Sequence, residues 1–370
     1  MKNDKNRPEW VPINASDGFT TEIIRGVDSK EATTGRKFFK KKERTTDEYV
    51  DGILQSDRTI LAQAITLVES NALKHQNQAQ EVLNRILPYT GKSIRIGITG
   101  VPGAGKSTFI EAFGTFLCEQ GHRVAVLAVD PSSSVTGGSI LGDKTRMELL
   151  ARNHHAFIRP TPSGGTLGGV NRKTRETILL CEAASFDVIL VETIGVGQSE
   201  IVVRSMVDFF LLLVLTGAGD ELQGMKKGVM ELADALLINK ADGDNLQNAK
   251  VACAEYNRLL HYLQPATKGW QTKAFIASAL YNEGIKEIWD VISRFHVQAR
   301  TTGVFESRRS SQTKDWIYSM IKDYLESHFF SNPIIKEQLP LFEQNVVNGK
   351  QNVTSVVREL INLYEKQDKK

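Results

Sequence analysis

A doubly wound, mainly parallel α/β sheet with helical extensions at both ends is the fold the sequence predicts, on three observations. Short apolar runs alternate with helical stretches across residues 92–300. The octet Gly100-Val101-Pro102-Gly103-Ala104-Gly105-Lys106-Ser107 follows the first run, and Asn239-Lys240-Ala241-Asp242 closes the sixth. Alternation of this kind favours parallel strands with helices on both faces, and loops at the strand C-termini then form the site.

Residues 1–45 carry few apolar positions in any pattern and are expected to be a flexible arm. Their basic run Arg36–Arg44 reads as a solvated arm and not as a nucleic-acid or membrane patch. A helical prefix is expected over 46–91, with one stripe at Ile60, Leu61, Ala64, Ile65 and Val68 and another at Ala79, Val82, Leu83, Ile86 and Leu87. The domain at 92–300 follows, with strands at 94–99, 123–129, 155–160, 187–192, 208–215, 235–239 and 273–277. Residues 301–370 form a helical tail with two apolar faces, one through Trp316, Ile317, Met320, Ile321, Tyr324 and Leu325, the other through Val353, Val356, Val357, Leu360, Ile361 and Tyr364. Those faces need a cover, either this chain's own domain or a second subunit. The polar stretch Thr301–Thr313 reads as a linker and favours the second subunit.

Composition narrows the function classes. A net charge of +3 over 370 residues does not point to nucleic acid. The three cysteines, Cys118, Cys181 and Cys253, lie far apart in expected helices and read as small buried apolar residues of a reducing compartment. The N-terminus lacks a signal-peptide core, and the longest apolar run, Phe209–Leu215, suits a central parallel strand better than a membrane span. A cytoplasmic, non-membrane protein is expected.

The glycine-rich octet is a complete phosphate-binding loop of the P-loop NTPase kind. Its glycines let backbone N–H groups curl inward around a β-phosphate, a geometry that a Cβ would obstruct. Lys106 reaches the β- and γ-phosphates, the Ser107 hydroxyl joins the Mg²⁺ shell, and Thr108 follows at the start of a helix over 107–119 whose dipole favours anions. Asp242 selects the base. Its carboxylate accepts from guanine N1–H and the 2-amino group, and adenine would leave it unpaired at about 1–3 kcal/mol. Asn239 bonds the purine edge and ties strand ends, the Lys240 stem lies over the base, and Ser278-Ala279-Leu280 offers a backbone N–H to guanine O6. GTP is therefore expected over ATP.

Acidic residues at strand ends supply the rest. Asp130, Asp143 and Glu192 suit the waters of a Mg²⁺ shell, and Asp143 also suits orienting the attacking water. Val196 stands where a water-positioning glutamine often sits, with Gln198 two residues on, so intrinsic hydrolysis is expected to be slow until a partner completes the site. The loop Thr216–Gly228, with four glycines and four charges, reads as a further switch segment. Arg146, Arg172 and Arg175 are possible charge-stabilising arginines, though surface ion pairing is the commoner role for each.

Asp130-Pro131-Ser132-Ser133, Gly138–Met147, Glu192–Gln198 and Asn239–Asp242, together with the phosphate loop, resemble the methylmalonyl-CoA mutase-associated GTPases, the MeaB/ArgK family. The resemblance covers about residues 50–365. It implies a homodimeric GTPase with GTP/GDP and Mg²⁺ as cofactors and a C-terminal extension that makes the dimer. The implied partner is an adenosylcobalamin-dependent acyl-CoA mutase, methylmalonyl-CoA mutase, whose cofactor loading it gates and which it protects. It implies catalytic roles for Lys106, Asp143 and Glu192, and metal roles for Ser107, Asp130, Asp143 and Glu192. A kinase or transport-linked ATPase would want adenine preference, against Asp242. A nickel-delivery GTPase would want clustered His or Cys, but only His154-His155 are adjacent.

Overall fold

A computed structural model of the chain describes residues 44–129, 147–161, 167–193, 199–216 and 227–367. The expected arm at 1–45 falls outside them except for its last two residues.

Three short helices come first: α1 (Thr46–Leu54), α2 (Arg58–Glu69) and α3 (Leu73–Ile86). Thr45 and Glu48 cap α1 reciprocally, and the Asp57 carboxylate accepts from the N–H groups of Thr59 and Ile60 to start α2. Strands and helices then alternate as β1 (Ile94–Gly100), α4 (Lys106–Glu119), β2 (Val124–Val129), α5 (Glu148–Arg152), β3 (Ala156–Thr161), α6 (Leu167–Ala183), β4 (Val188–Thr193) and α7 (Ser199–Arg204). They continue through β5 (Phe209–Val214), α8 (Lys227–Met230), β6 (Ala235–Ile238), α9 (Leu246–Leu260), β7 (Lys273–Ile276) and α10 (Ile285–Thr301). Three helices close the chain: α11 (Val304–Ser331), α12 (Pro333–Val347) and α13 (Val353–Gln367).

The strands form one seven-stranded sheet in the order β3-β2-β4-β1-β5-β6-β7, and every pairing is parallel. β2, β4, β5 and β6 are buried at every position, as a sheet covered on both faces requires. Phe109, Phe113, Ile292 and Phe295 of α4 and α10 cover one face, where Phe209 meets Phe295 edge-on with centroids 4.9 Å apart. On the other face, Ile53, Leu61, Ile65, Val82 and Ile86 of α1–α3 pack with Ile178, Ile189 and Phe210. Both expected stripes of the helical prefix are buried there except at Ile60, which is half-buried, and Leu87, which is exposed in a short 3₁₀ turn. Cys118 and Cys181 are buried and Cys253 is half-buried, all three as free thiols on helices.

The linker expectation for Thr301–Thr313 is wrong. Thr301 ends α10, and Val304–Thr313 opens the 28-residue α11, locked onto the N-terminal end of the sheet. Phe305 is buried there. Arg309 donates from Nε to Asp208 Oδ1 at 2.8 Å and from Nη2 to Oδ2 at 2.7 Å, and also reaches the carbonyls of Gly91 and Ser93. Gln312 donates to Val207 O at 2.8 Å, and Arg308 bonds Asp208 O and Thr267 Oγ1. Carboxylates and carbonyls at strand starts need donors once helices cover them. The polarity that reads as a solvated linker belongs to a buried network.

Beyond Gln312 the tail leaves the sheet. Ile335, Val356 and Leu360 make a small core with Phe329, Leu339 and Phe342, while Ile317, Ile321, Tyr324, Leu325, Val357 and Ile361 stay exposed. Each of the two apolar faces read from sequence is thus only partly covered within the chain. Among the described residues no helix is long and apolar enough to cross a membrane.

Candidate nucleotide site

β1 lies between β4 and β5 and delivers Gly100, opposite Leu213, to the C-terminal end of the sheet. The chain turns there through Val101–Gly105 into α4. Gly105 sits at φ +81°, and a Cβ on it would come within 2.7 Å of Asn239 Nδ2, so glycine is required twice over. Lys106 is buried, and its Nζ donates to Gly100 O at 2.8 Å and Val101 O at 3.2 Å. Burial pulls this ammonium below its ordinary pKa, and the Glu192 and Glu200 carboxylates work against that shift. Ser107 donates from Oγ to Glu192 Oε1 at 3.1 Å, joining the start of α4 to the end of β4. Beside them the Thr99 and Thr193 hydroxyls share a hydrogen bond of 2.7 Å. Thr108 is exposed on the first turn of α4.

The base motif reaches the same loop from β6. Asn239 is buried, and its Nδ2 donates to Ala104 O at 2.8 Å and Gly105 O at 3.4 Å while its Oδ1 accepts from the Ala279 N–H at 3.3 Å. One amide therefore ties the phosphate loop to the Ser278-Ala279-Leu280 turn. The Ser278 hydroxyl donates to Asp242 Oδ2 at 2.5 Å and fixes the carboxylate plane. Lys240 stands at φ +59°, and its Cε lies 3.8 Å from where a Gly105 Cβ would be, so its stem runs along the loop. Leu280 is exposed beside the buried Ser278 and Ala279.

The structure thus gathers Gly100 through Ser107, Glu192, Asn239, Lys240, Asp242 and Ser278 through Leu280 at one sheet edge. Asp130, Asp143, Arg146, Val196, Gln198 and most of the Thr216–Gly228 loop lie outside the described residues. Arg175 is not at the surface, where the sequence reading placed it. It is buried and donates to the Ser205 carbonyl and hydroxyl, and burial pushes it down to about 10. Arg172 pairs loosely with Glu176 on its own helix at 3.9 Å. Sequence reasoning passed over Glu200, buried in the first turn of α7 and close enough to raise the Lys106 pKa. Its only sequence signal is an acid soon after the Glu192–Gln198 segment.

A hydroxyl bonded to a buried carboxylate is an all-oxygen donor pair of the hard kind that Mg²⁺ takes. Among the described residues no three His, Cys, Asp or Glu side chains converge.

The model of the family "methylmalonyl Co-A mutase-associated GTPase MeaB" matches residues 61–334, about three quarters of the chain. The chain belongs to the MeaB family. A putative GTPase of Caulobacter vibrioides is 52% identical over 309 residues, covering 84% of this chain and 94% of the relative. The mouse mitochondrial methylmalonic aciduria type A homolog is 45% identical over 344 residues, covering 90% and 82%. A solved structure of a LAO/AO transport system kinase superposes with a TM-score of 0.70 at 39% identity, covering 86% of this chain and 97% of its own. This MeaB-family protein is a P-loop GTPase that binds and hydrolyses GTP.

Proposed function

We propose that this MeaB-family GTPase is the chaperone of an adenosylcobalamin-dependent methylmalonyl-CoA mutase, gating cofactor loading and protecting the loaded enzyme. The observation that carries the reading is the match to a mutase-associated family across residues 61–334, joined by the mouse relative named for methylmalonic aciduria. The site supports a matching mechanism. On GTP binding, Lys106 exchanges the carbonyls of Gly100 and Val101 for the β- and γ-phosphate oxygens, and the loop N–H groups hold the β-phosphate. Ser107 and Glu192, with Asp130 and Asp143, would hold Mg²⁺ and its waters, which would supply positive charge against the phosphates. Asp242, held by Ser278, accepts from guanine N1–H and the 2-amino group, and Asn239 keeps base and phosphate subsites in register. Val196 cannot orient water, so Asp143 or a partner's contribution positions the nucleophile.

We further propose a cytoplasmic homodimer, and the exposed faces of α11 and α13, with Ile317, Tyr324, Leu325, Val357 and Ile361, support its assembly through the tail. The test is GTP turnover with and without purified methylmalonyl-CoA mutase. The chaperone reading expects the mutase to raise turnover. Unchanged turnover, with phosphate transferred to another acceptor, would replace it with a kinase.

A further inference from the structure

The buried network under α11 leaves a cleft of about 580 Å³ beside it, at the end of the sheet opposite the phosphate loop. Arg204, Lys268 and Arg308 line it, with the Ser307 and Ser311 hydroxyls and the Gln312 amide; among the described residues no carboxylate does. The charges around it do not balance. Asp234 accepts from Arg204 at 2.7 Å and lies 3.6 Å from Arg308, so one carboxylate serves two guanidinium groups. The other nearby acid, Asp208, is taken by the fork of Arg309. Arg308 donates only to a carbonyl and a hydroxyl there, and Lys268 adds a third cation from the rim. Burial pulls the Arg308 guanidinium below its ordinary pKa, opposed by Asp234 and Asp208 and helped by Arg204.

We propose that this cleft binds a small phosphomonoester. Its wall carries two guanidinium groups, an ammonium and two hydroxyls one helical turn apart, while the Gln312 amide is held by the Val207 and Arg204 carbonyls. The opening turn of the 28-residue α11 adds N–H groups that no side chain caps at Gly303. A phosphate dianion has the charge and acceptor oxygens for such a wall, and a monoester keeps both. The volume falls in the range of about 300–1,000 Å³ typical of small-molecule sites, so a bare ion would leave most of it unfilled. The cleft lies apart from the nucleotide site, and the inference stands whether or not the partner is a mutase.

The experiment uses the full chain loaded with Mg²⁺ and a non-hydrolysable GTP analogue, which keeps the phosphate loop filled. Glycerol 3-phosphate and inorganic phosphate are titrated by calorimetry against glycerol and sodium chloride at matched ionic strength. Saturable binding of glycerol 3-phosphate is expected, weakened about tenfold or more in Lys268→Glu and Ser311→Glu. Both side chains are exposed and outside the buried network, so the melting temperatures without ligand should match wild type. Equal affinity for inorganic phosphate would make the free ion the occupant and overturn the monoester. Heats no larger than those of sodium chloride, or wild-type binding by both variants, would overturn the site itself.

Discussion

At the C-terminal end of the sheet, Lys106 donates to Gly100 O and Val101 O, and Ser107 to Glu192; at the N-terminal end, Arg309 forks Asp208 and Arg204 forks Asp234. Both ends bury charged groups, but only one is arranged to trade partners. Lys106 rests on neutral carbonyls that phosphates outbid, and a carboxylate competes with it only through space. Arg309 and Arg204 at the opposite end each already face a carboxylate in a matched geometry that water or ligand would have to break, whereas Arg308 beside them has no such fork. Glu182 shows the same closure. Burial opposes its ionisation, yet the Arg95 guanidinium and the Ser93 hydroxyl hold its pKa below the ordinary value. One end is the nucleotide site; the forked pairs of the other anchor α11 to the domain and leave Arg308 at the wall of the proposed cleft.

If that contrast is right, substitutions at the two ends separate stability from activity. The largest effect is expected for Asp234→Ala. Asp234 is fully buried and accepts from Arg204 and from the Phe210 N–H, so its loss strands two arginines at a cost of about 3–5 kcal/mol in urea unfolding. The folded variant should keep its GTP affinity. Lys106→Ala should do the reverse, lowering turnover by about 10²–10³-fold while changing unfolding by less than about 1 kcal/mol. A comparable loss of stability in both variants would erase the distinction.

Two smaller effects sharpen it. Glu176 on α6 is buried, which pushes its carboxyl up to about 7, against Arg172, Gln80 and Lys173, which pull it down. The folded state therefore holds a proton that the unfolded chain has released, so stability falls as pH rises from about 4.5 to about 7. Glu176→Gln keeps the neutral form. Its gain over wild type should be absent below pH 4.5 and grow to roughly 1–3 kcal/mol by pH 7.5. A pH-independent difference in denaturation would refute this. Gly105→Ala should cost about 1–3 kcal/mol through its positive φ and the approach to Asn239, with weakened nucleotide binding by calorimetry. Unchanged affinity would show that the loop relaxes freely.

β2, β4, β5 and β6 were legible because fully buried parallel strands write themselves as near-continuous apolar runs, and the other three followed from their place in the alternation with helices. All seven lie within about a residue of expectation at each end, from Ile94–Gly100 to Lys273–Ile276. The phosphate and base motifs were legible because each is local in sequence. Their meeting through Asn239 was foreseeable only as a tie between strand ends. The anchor under α11 was not legible. Arg204, Asp208, Asp234, Thr267, Arg308 and Arg309 are scattered over about a hundred residues, and each looks like a surface polar residue by itself. Polarity alone cannot tell a solvated stretch from a buried network; only the partners do.

The most direct measurement is a competition titration of GTP, ATP and xanthosine triphosphate on wild type and Asp242→Asn. Xanthine carries a carbonyl where guanine carries its 2-amino group, so an amide at position 242 can donate to it. Wild type should favour GTP over both competitors, and the variant should lose roughly 10- to 100-fold for GTP and gain for xanthosine triphosphate. A variant that still prefers GTP would contradict the assignment of base selection to Asp242.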